Sequence, residues 1–264
     1  MHAVIFSYFD DSSDDKREAH VAIGGIIGHE ILLNLVEGNW IEQTKELREP
    51  FRSTDCECQH GQFKDWPKSK CDDLMKRLVG VLSDTRVGCY AFDVPVNLYR
   101  DVFPDSGDDE PMRLATAHTI VEMARLARRH KEQIRLWFED GPSRSLTDQT
   151  FRALKSLNAW RWDERGTLFG ISFDDKRLIP LQAADLVARE GFKLAYNRGI
   201  RPLRKPVLGF WDRMGMGMYV REVFELLKNK GWPSNLEAVV SLPDDCYLRP
   251  QKNYDRQYVE RPQR

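Results

Sequence analysis

The chain is short of the features that mark several large classes of protein. Its 264 residues include only five cysteines, and so sparse and odd a set is not a disulfide framework. A reducing, cytoplasmic compartment is the expectation. The longest apolar stretch, "VAIGGIIGHEILLNLV" (21–36), is broken by His29 and Glu30 and is too short to span a bilayer. No basic region precedes the first apolar run, so no secretion signal is expected. Neither a Gly-rich phosphate loop nor a serine elbow is present. "IGGIIG" lacks the Lys-Ser/Thr ending, and no G-x-S-x-G occurs. The formal net charge is only −1, which by itself favours no class of partner.

What is present suits a globular α/β chain. Hydrophobic residues make up 41% and charged residues 31%, enough for a sizeable core. Charge is unevenly spread: residues 193–264 hold 14 Lys+Arg against 8 Asp+Glu, and residues 1–192 hold 26 against 33. An acidic body with a basic tail fits a metal site beside a phosphate-binding surface, or simply a solvated face.

Apolar periodicity predicts strands at 3–9, 19–28, 86–95, 134–138 and 168–173, with "FRSTDCEC" (51–58) extended by its alternation. Helices are expected at 30–49, 71–83, 112–131, 147–158, 180–197 and 220–231. The order suits a mixed central sheet flanked by helices. Residues 1–199 would form the domain. Residues 200–264 would form a basic, partly irregular C-terminal extension.

Carboxylates recur where apolar elements end. "AVIFSYFDDSSDD" (3–15) runs into Asp10 and Asp11, and "IRLWFEDG" (134–141) runs into Glu139 and Asp140. Turn chemistry explains such acids; so does metal binding, if the two strands lie side by side. Asp185 is the sharper clue. On a helix over 180–197 it falls within the apolar face formed by Leu181, Ala184, Ala188 and Phe192, whereas Glu190 points away as a surface residue. A buried, ionised Asp without a partner costs several kcal/mol, so Asp185 needs an arginine such as Arg177 or Arg135, a donor cluster or a cation. In an extended segment Asp55 and Glu57 share a face and would complete a ring of oxygen ligands. Mg²⁺ takes such ligands, and paired ions can clamp a phosphate while activating water.

Other groupings point less clearly. Cys56, Cys58, His60 and Cys71 have the residue types of a zinc site but not the usual spacing, and half-buried strand cysteines with His60 in a turn are the plainer reading. His118 reads as structural. Arg125, Arg128, Arg129, His130 and Lys131 end a helix, where cations are favourable for dipole reasons. Arg201, Arg204 and Lys205, in "RGIRPLRKP" (198–206), are candidate nucleic-acid contacts. Trp160, Trp162 and Trp211 offer either stacking surfaces or core packing.

Four stretches occur in an order that resembles a known family: "YFDDSS", "FRSTDCECQHGQFKDW", "WFEDG" and "PLQAADLVARE". They look like the bacterial family catalogued as domain of unknown function 3800, over roughly residues 3–197. That family resembles the ribonuclease H-like fold, in which carboxylates on central strands and a late helix bind divalent metal. The resemblance implies Asp10, Glu139 and Asp185 as metal ligands for Mg²⁺ or Mn²⁺, supported by Asp11, Asp55, Glu57 and Asp140. Departures are Asp11 where Glu is frequent, Ser13 where Gly is common, and Arg52 where His is frequent. The implied activity is a metal-dependent phosphodiesterase, a nuclease with nucleic acid as substrate. The alternatives are a non-catalytic nucleic-acid-binding or assembly protein, and a hydrolase of nucleotides or small phosphate esters.

Overall fold

A hairpin founds the sheet. β1 (Val4–Ser13) and β2 (His20–His29) pair antiparallel, with Asp10 opposite Gly24. The computed structural model describes residues 4–14, 18–157, 168–196 and 214–243. Within it β1 does not stop at Phe9 but continues through Asp10 and Asp11, because pairing to β2 extends to Ser13 opposite Val21. The turn chemistry belongs to Asp14, whose carboxylate accepts the backbone N–H groups of Glu18, Ala19 and His20 at 2.9, 3.0 and 3.1 Å.

From β2 the chain enters helix α1 (Glu30–Thr44), then α2 (Ser53–Cys58) and α3 (Lys68–Thr85). The segment expected to be extended at 51–58 is therefore helical from Ser53. Its buried residues Ser53 and Cys56 are three apart, a helical spacing hidden by the polar alternation around them. Cys56 and Cys58 accordingly sit on a helix rather than a strand.

β3 (Gly88–Pro95), α4 (Val96–Val102), α5 (Glu110–His130), β4 (Gln133–Glu139) and α6 (Arg144–Ser156) come next. Then come β5 (Leu168–Asp174), α7 (Ile179–Tyr196), β6 (Met214–Met218), α8 (Arg221–Asn229) and α9 (Glu237–Val240). The sheet order is β5-β4-β1-β2-β3-β6. β1–β2 and β2–β3 are antiparallel, while β1–β4, β4–β5 and β3–β6 are parallel. The fold is thus α/β, a six-stranded mixed sheet between helices. No helix among the described residues is long and apolar enough to cross a membrane.

Alternation along β1 divides the two faces. Ile5 and Phe9 join α5 residues such as Leu114, Ala117 and Val121 in one core, and Phe6 and Tyr8 lie against the other, built on α7, α3 and α1. Tyr219, Phe224, Leu227 and Trp232 belong to the first core, so residues 214–243 of the expected extension complete the sheet and its packing. Arg201, Arg204, Lys205, Trp160, Trp162 and Trp211 lie outside the described residues.

α7 lies almost on the sheet because small residues meet. A Cβ on Gly24 would stand 2.4 Å from the Ala188 Cα, and one on Gly191 would stand 2.5 Å from the Ala91 Cβ. This close approach brings Asp185 on the helix toward Asp10, which is paired across the hairpin with Gly24.

Candidate active site

The site forms where the sheet forks. β1 pairs with β4 only as far as Phe9 opposite Phe138, yet β1 stays paired to β2 beyond that point. The next residues, Asp10 and Glu139, flank the opening and point to the α7 face, since Phe9 and Phe138 occupy the opposite one. On the α5 side of the fork, Asp10, Asp11, Glu139, Ser143 and Thr147 edge a small cleft with Phe9, Ile23, Phe138 and Met112 beneath.

Asp10, Glu139 and Asp185, expected to act together, do converge. The group at their centre is one that no sequence pattern marks: Lys176. Its ammonium lies 2.9 Å from Asp10 Oδ2, 2.8 Å from Asp185 Oδ1 and 3.4 Å from Glu139 Oε2. The partner expected for Asp185 is an arginine, Arg177 or Arg135. Arg177 instead pairs with Asp175 at 2.5 Å, because it follows the buried lysine and faces solvent.

Asp185 is firmly oriented. Its Oδ2 accepts the Ser53 backbone N–H at 2.5 Å, at the first turn of α2, and its Oδ1 accepts from Lys176. One turn earlier on the same helix, Gln182 Oε1 accepts the Trp40 indole N–H and the Phe51 backbone N–H, both at 3.1 Å. Its amide donates to the Lys176 backbone carbonyl at 2.7 Å. The Gln-Ala-Ala-Asp stretch therefore grips two loops at once, one entering α2 and one carrying Lys176.

The acids are not equivalent. Burial pushes the Asp10 carboxyl well above the usual range; Lys176 opposes the rise, while Asp185 and Glu139 add to it. Burial also acts on Asp185, but Lys176 and the Ser53 N–H outweigh it and hold that carboxyl below its ordinary value. Asp185 is therefore the carboxylate that Lys176 stabilises more strongly, and Asp10 the one that burial penalises more. The Asp11 N–H donates to Asp10 Oδ1 at 2.8 Å, whereas Asp10 Oδ2 faces the Lys176 ammonium.

The remaining expected acids stand elsewhere, Asp11 apart, which edges the cleft. Glu57 pairs with Arg189 and Lys193 of α7 at 3.0 and 3.1 Å. Asp55 sits by the Gly61 turn, its Oδ2 3.8 Å from where a Gly61 Cβ would be. Both expectations depend on an extended segment that is a helix. Asp140 pairs with Arg144 at 2.6 Å, turned toward the start of α6. Glu190, expected at the surface, is buried and paired with Lys193. Arg52, where the resemblance would place a histidine, holds its guanidinium 3.9 Å from Glu139 Oε1 and is 57% exposed. Cys56 is buried with its thiol pushed up to about 12 by burial first and by Cys71 second, which disfavours the thiolate that zinc needs. His118 stacks on Phe92 at 3.7 Å and shares a 3.0 Å hydrogen bond with Tyr219, a core position.

With Lys176 in the centre, no group of three or more His, Cys, Asp or Glu side chains among the described residues is arranged to hold a metal ion. The donor chemistry nevertheless suits a hard divalent cation. Carboxylates from two strands and a helix already surround a positive charge. The residues fit such an ion provided the ammonium gives way. No family model, curated protein or solved structure matches the chain, so the family resemblance rests on the four quoted stretches.

Proposed function

We propose that the chain is a Mg²⁺- or Mn²⁺-dependent phosphodiesterase acting on nucleic acid, with a ribonuclease H-like fold of the domain-of-unknown-function-3800 type. The observation that carries this reading is the convergence of Asp10, Glu139 and Asp185, from β1, β4 and α7, around one cation position at the fork between β1 and β4. Acids on two central strands and a late helix are the arrangement that the resemblance implies. These residues would hold the ion. Bound there, it supplies an activated water and positive charge for the phosphate. The chain's own part is orientation. Ser53 and Gln182 fix the Asp185 helix against its loops, Asp11 fixes Asp10, and Arg52 stands at the rim, exposed, where a guanidinium can meet a phosphate oxygen.

The test is Glu139→Gln. Glu139 is 20% exposed and touches the lysine only at 3.4 Å, so the variant should fold. Mn²⁺ calorimetry and cleavage of labelled single- and double-stranded DNA and RNA are then compared with wild type. Binding and cutting by wild type, both lost in the variant, is the expected result. Wild type that neither binds nor cuts sinks the proposal. A second reading then takes over, favoured by the placement of Lys176: the cluster is a buried ion-pair network that holds β1, β4 and α7 together, in a non-catalytic binding or assembly protein.

A further inference from the structure

We propose that Lys176 is a resident stand-in cation, occupying the centre of the carboxylate site until a divalent ion displaces its ammonium; the inference rests on the metal-dependent reading above. Lys176 is 6% exposed and its ammonium touches all three acids. Such burial suits a permanent strut as well as a stand-in, and three features favour the stand-in.

The first is geometry. Ammonium-to-oxygen distances of 2.8–3.4 Å are those of hydrogen bonds and ion pairs. Mg²⁺ needs oxygens at about 2.0–2.1 Å. One centre cannot hold both, so ion and ammonium exclude each other. The second is charge. Three clustered carboxylates face one ammonium. A divalent ion satisfies the acids better than lysine does. The third is reach. Lys176 sits in the turn between β5 and α7, with Asp174 exposed and Asp175 half-buried. A lysine ammonium rides on four flexible methylenes, while its backbone stays tied to Gln182. The head can leave without the turn unfolding.

The arrangement does two things. Without metal it bridges the three acids and so ties β1, β4 and α7 together. It also weakens apparent metal affinity, because the binding-competent form is only the fraction with the ammonium withdrawn.

Two experiments test this without relying on turnover. In the first, Mn²⁺ binding and thermal unfolding are measured for wild type and Lys176→Met. The variant should melt lower than wild type without metal, recover with Mn²⁺, and bind Mn²⁺ about tenfold more tightly or better. In the second, an amine-acylating reagent is applied to wild type, followed by peptide mass spectrometry. Lys176 should be protected without metal and become labelled at saturating Mn²⁺. If wild type binds Mn²⁺ through Glu139 but Lys176→Met binds no more tightly and Lys176 labelling does not change, the stand-in role is wrong and the metal site survives. If neither protein binds Mn²⁺, both proposals fall together. Should Lys176→Met not fold, labelling of wild type decides alone.

Discussion

Single buried carboxylates in this chain are sorted by the cation each one meets. Burial would raise the Glu57 carboxyl, but Lys193 and Arg189 outweigh it and hold it below its ordinary value of 4.5. A lowered carboxyl contributes stability that is complete above the ordinary value and lost as pH falls through the lowered one. Glu57→Gln is therefore expected to destabilise the fold near neutral pH by about 1–3 kcal/mol, as loss of a half-buried charge pair does. Urea unfolding at falling pH should show the gap between wild type and variant closing below the carboxylate range; a gap constant with pH would mean that Arg189 and Lys193 do not act on Glu57. The same sorting explains which residues are legible in the sequence. Asp10, Glu139 and Asp185 stand out because each is an acid set into an apolar pattern. Lys176 does not, since in "FDDKRLIP" it is one charge among four and looks solvated. Asp55 and Glu57 mislead because a two-residue spacing reads as one strand face, whereas on α2 they diverge.

At the scale of elements, the site depends on how near α7 comes to β2. Gly24→Ala would place a Cβ 2.4 Å from the Ala188 Cα and 2.5 Å from its N. Those are backbone atoms and cannot swing aside, so the helix must shift. Overpacking of this kind costs about 1–3 kcal/mol, and the shift would carry Asp185 away from Asp10. Gly38→Ala on α1 is the matched control, with nothing within 4 Å of its added methyl and an expected gain of about 0.5–1 kcal/mol from helix propensity. Chemical denaturation of the two variants should move in opposite directions, and equal stability of Gly24→Ala and wild type would remove the close approach as a determinant. The strands and long helices are readable because apolar periodicity survives in them. α4 is not, because "VNLYRDV" is short and comes directly after a strand. β6 is not, because "MGMGM" has neither β-branched residues nor a polar alternation; its place is set by pairing with β3, a tertiary cause.

For the whole molecule, the question is whether the acidic body stands without its C-terminal segment. Composition suggests a boundary near residue 199, but the packing crosses it. Tyr219, Phe224, Leu227 and Trp232 are buried in the core beneath α5. The Trp232 indole donates to the Tyr99 hydroxyl at 2.9 Å, and Arg125 donates to the carbonyls of Val240 and Leu242 at 3.0 and 2.5 Å. Burying each such large apolar side chain is worth about 1.5–3 kcal/mol, so these four (Tyr219, Phe224, Leu227 and Trp232) contribute about 6–12 kcal/mol in all. That is comparable with the whole stability of an ordinary domain, about 5–15 kcal/mol. A chain cut after residue 199 is therefore expected to lose cooperative thermal unfolding, to lose near-ultraviolet circular dichroism, and to bind a hydrophobic dye through the uncovered Tyr99, Phe92 and Phe103. A truncated chain that still melts sharply would show that β6, α8 and α9 are an accessory layer. The carboxylate fork of β1 and β4 would then be self-supporting, and the site could be studied on the body alone.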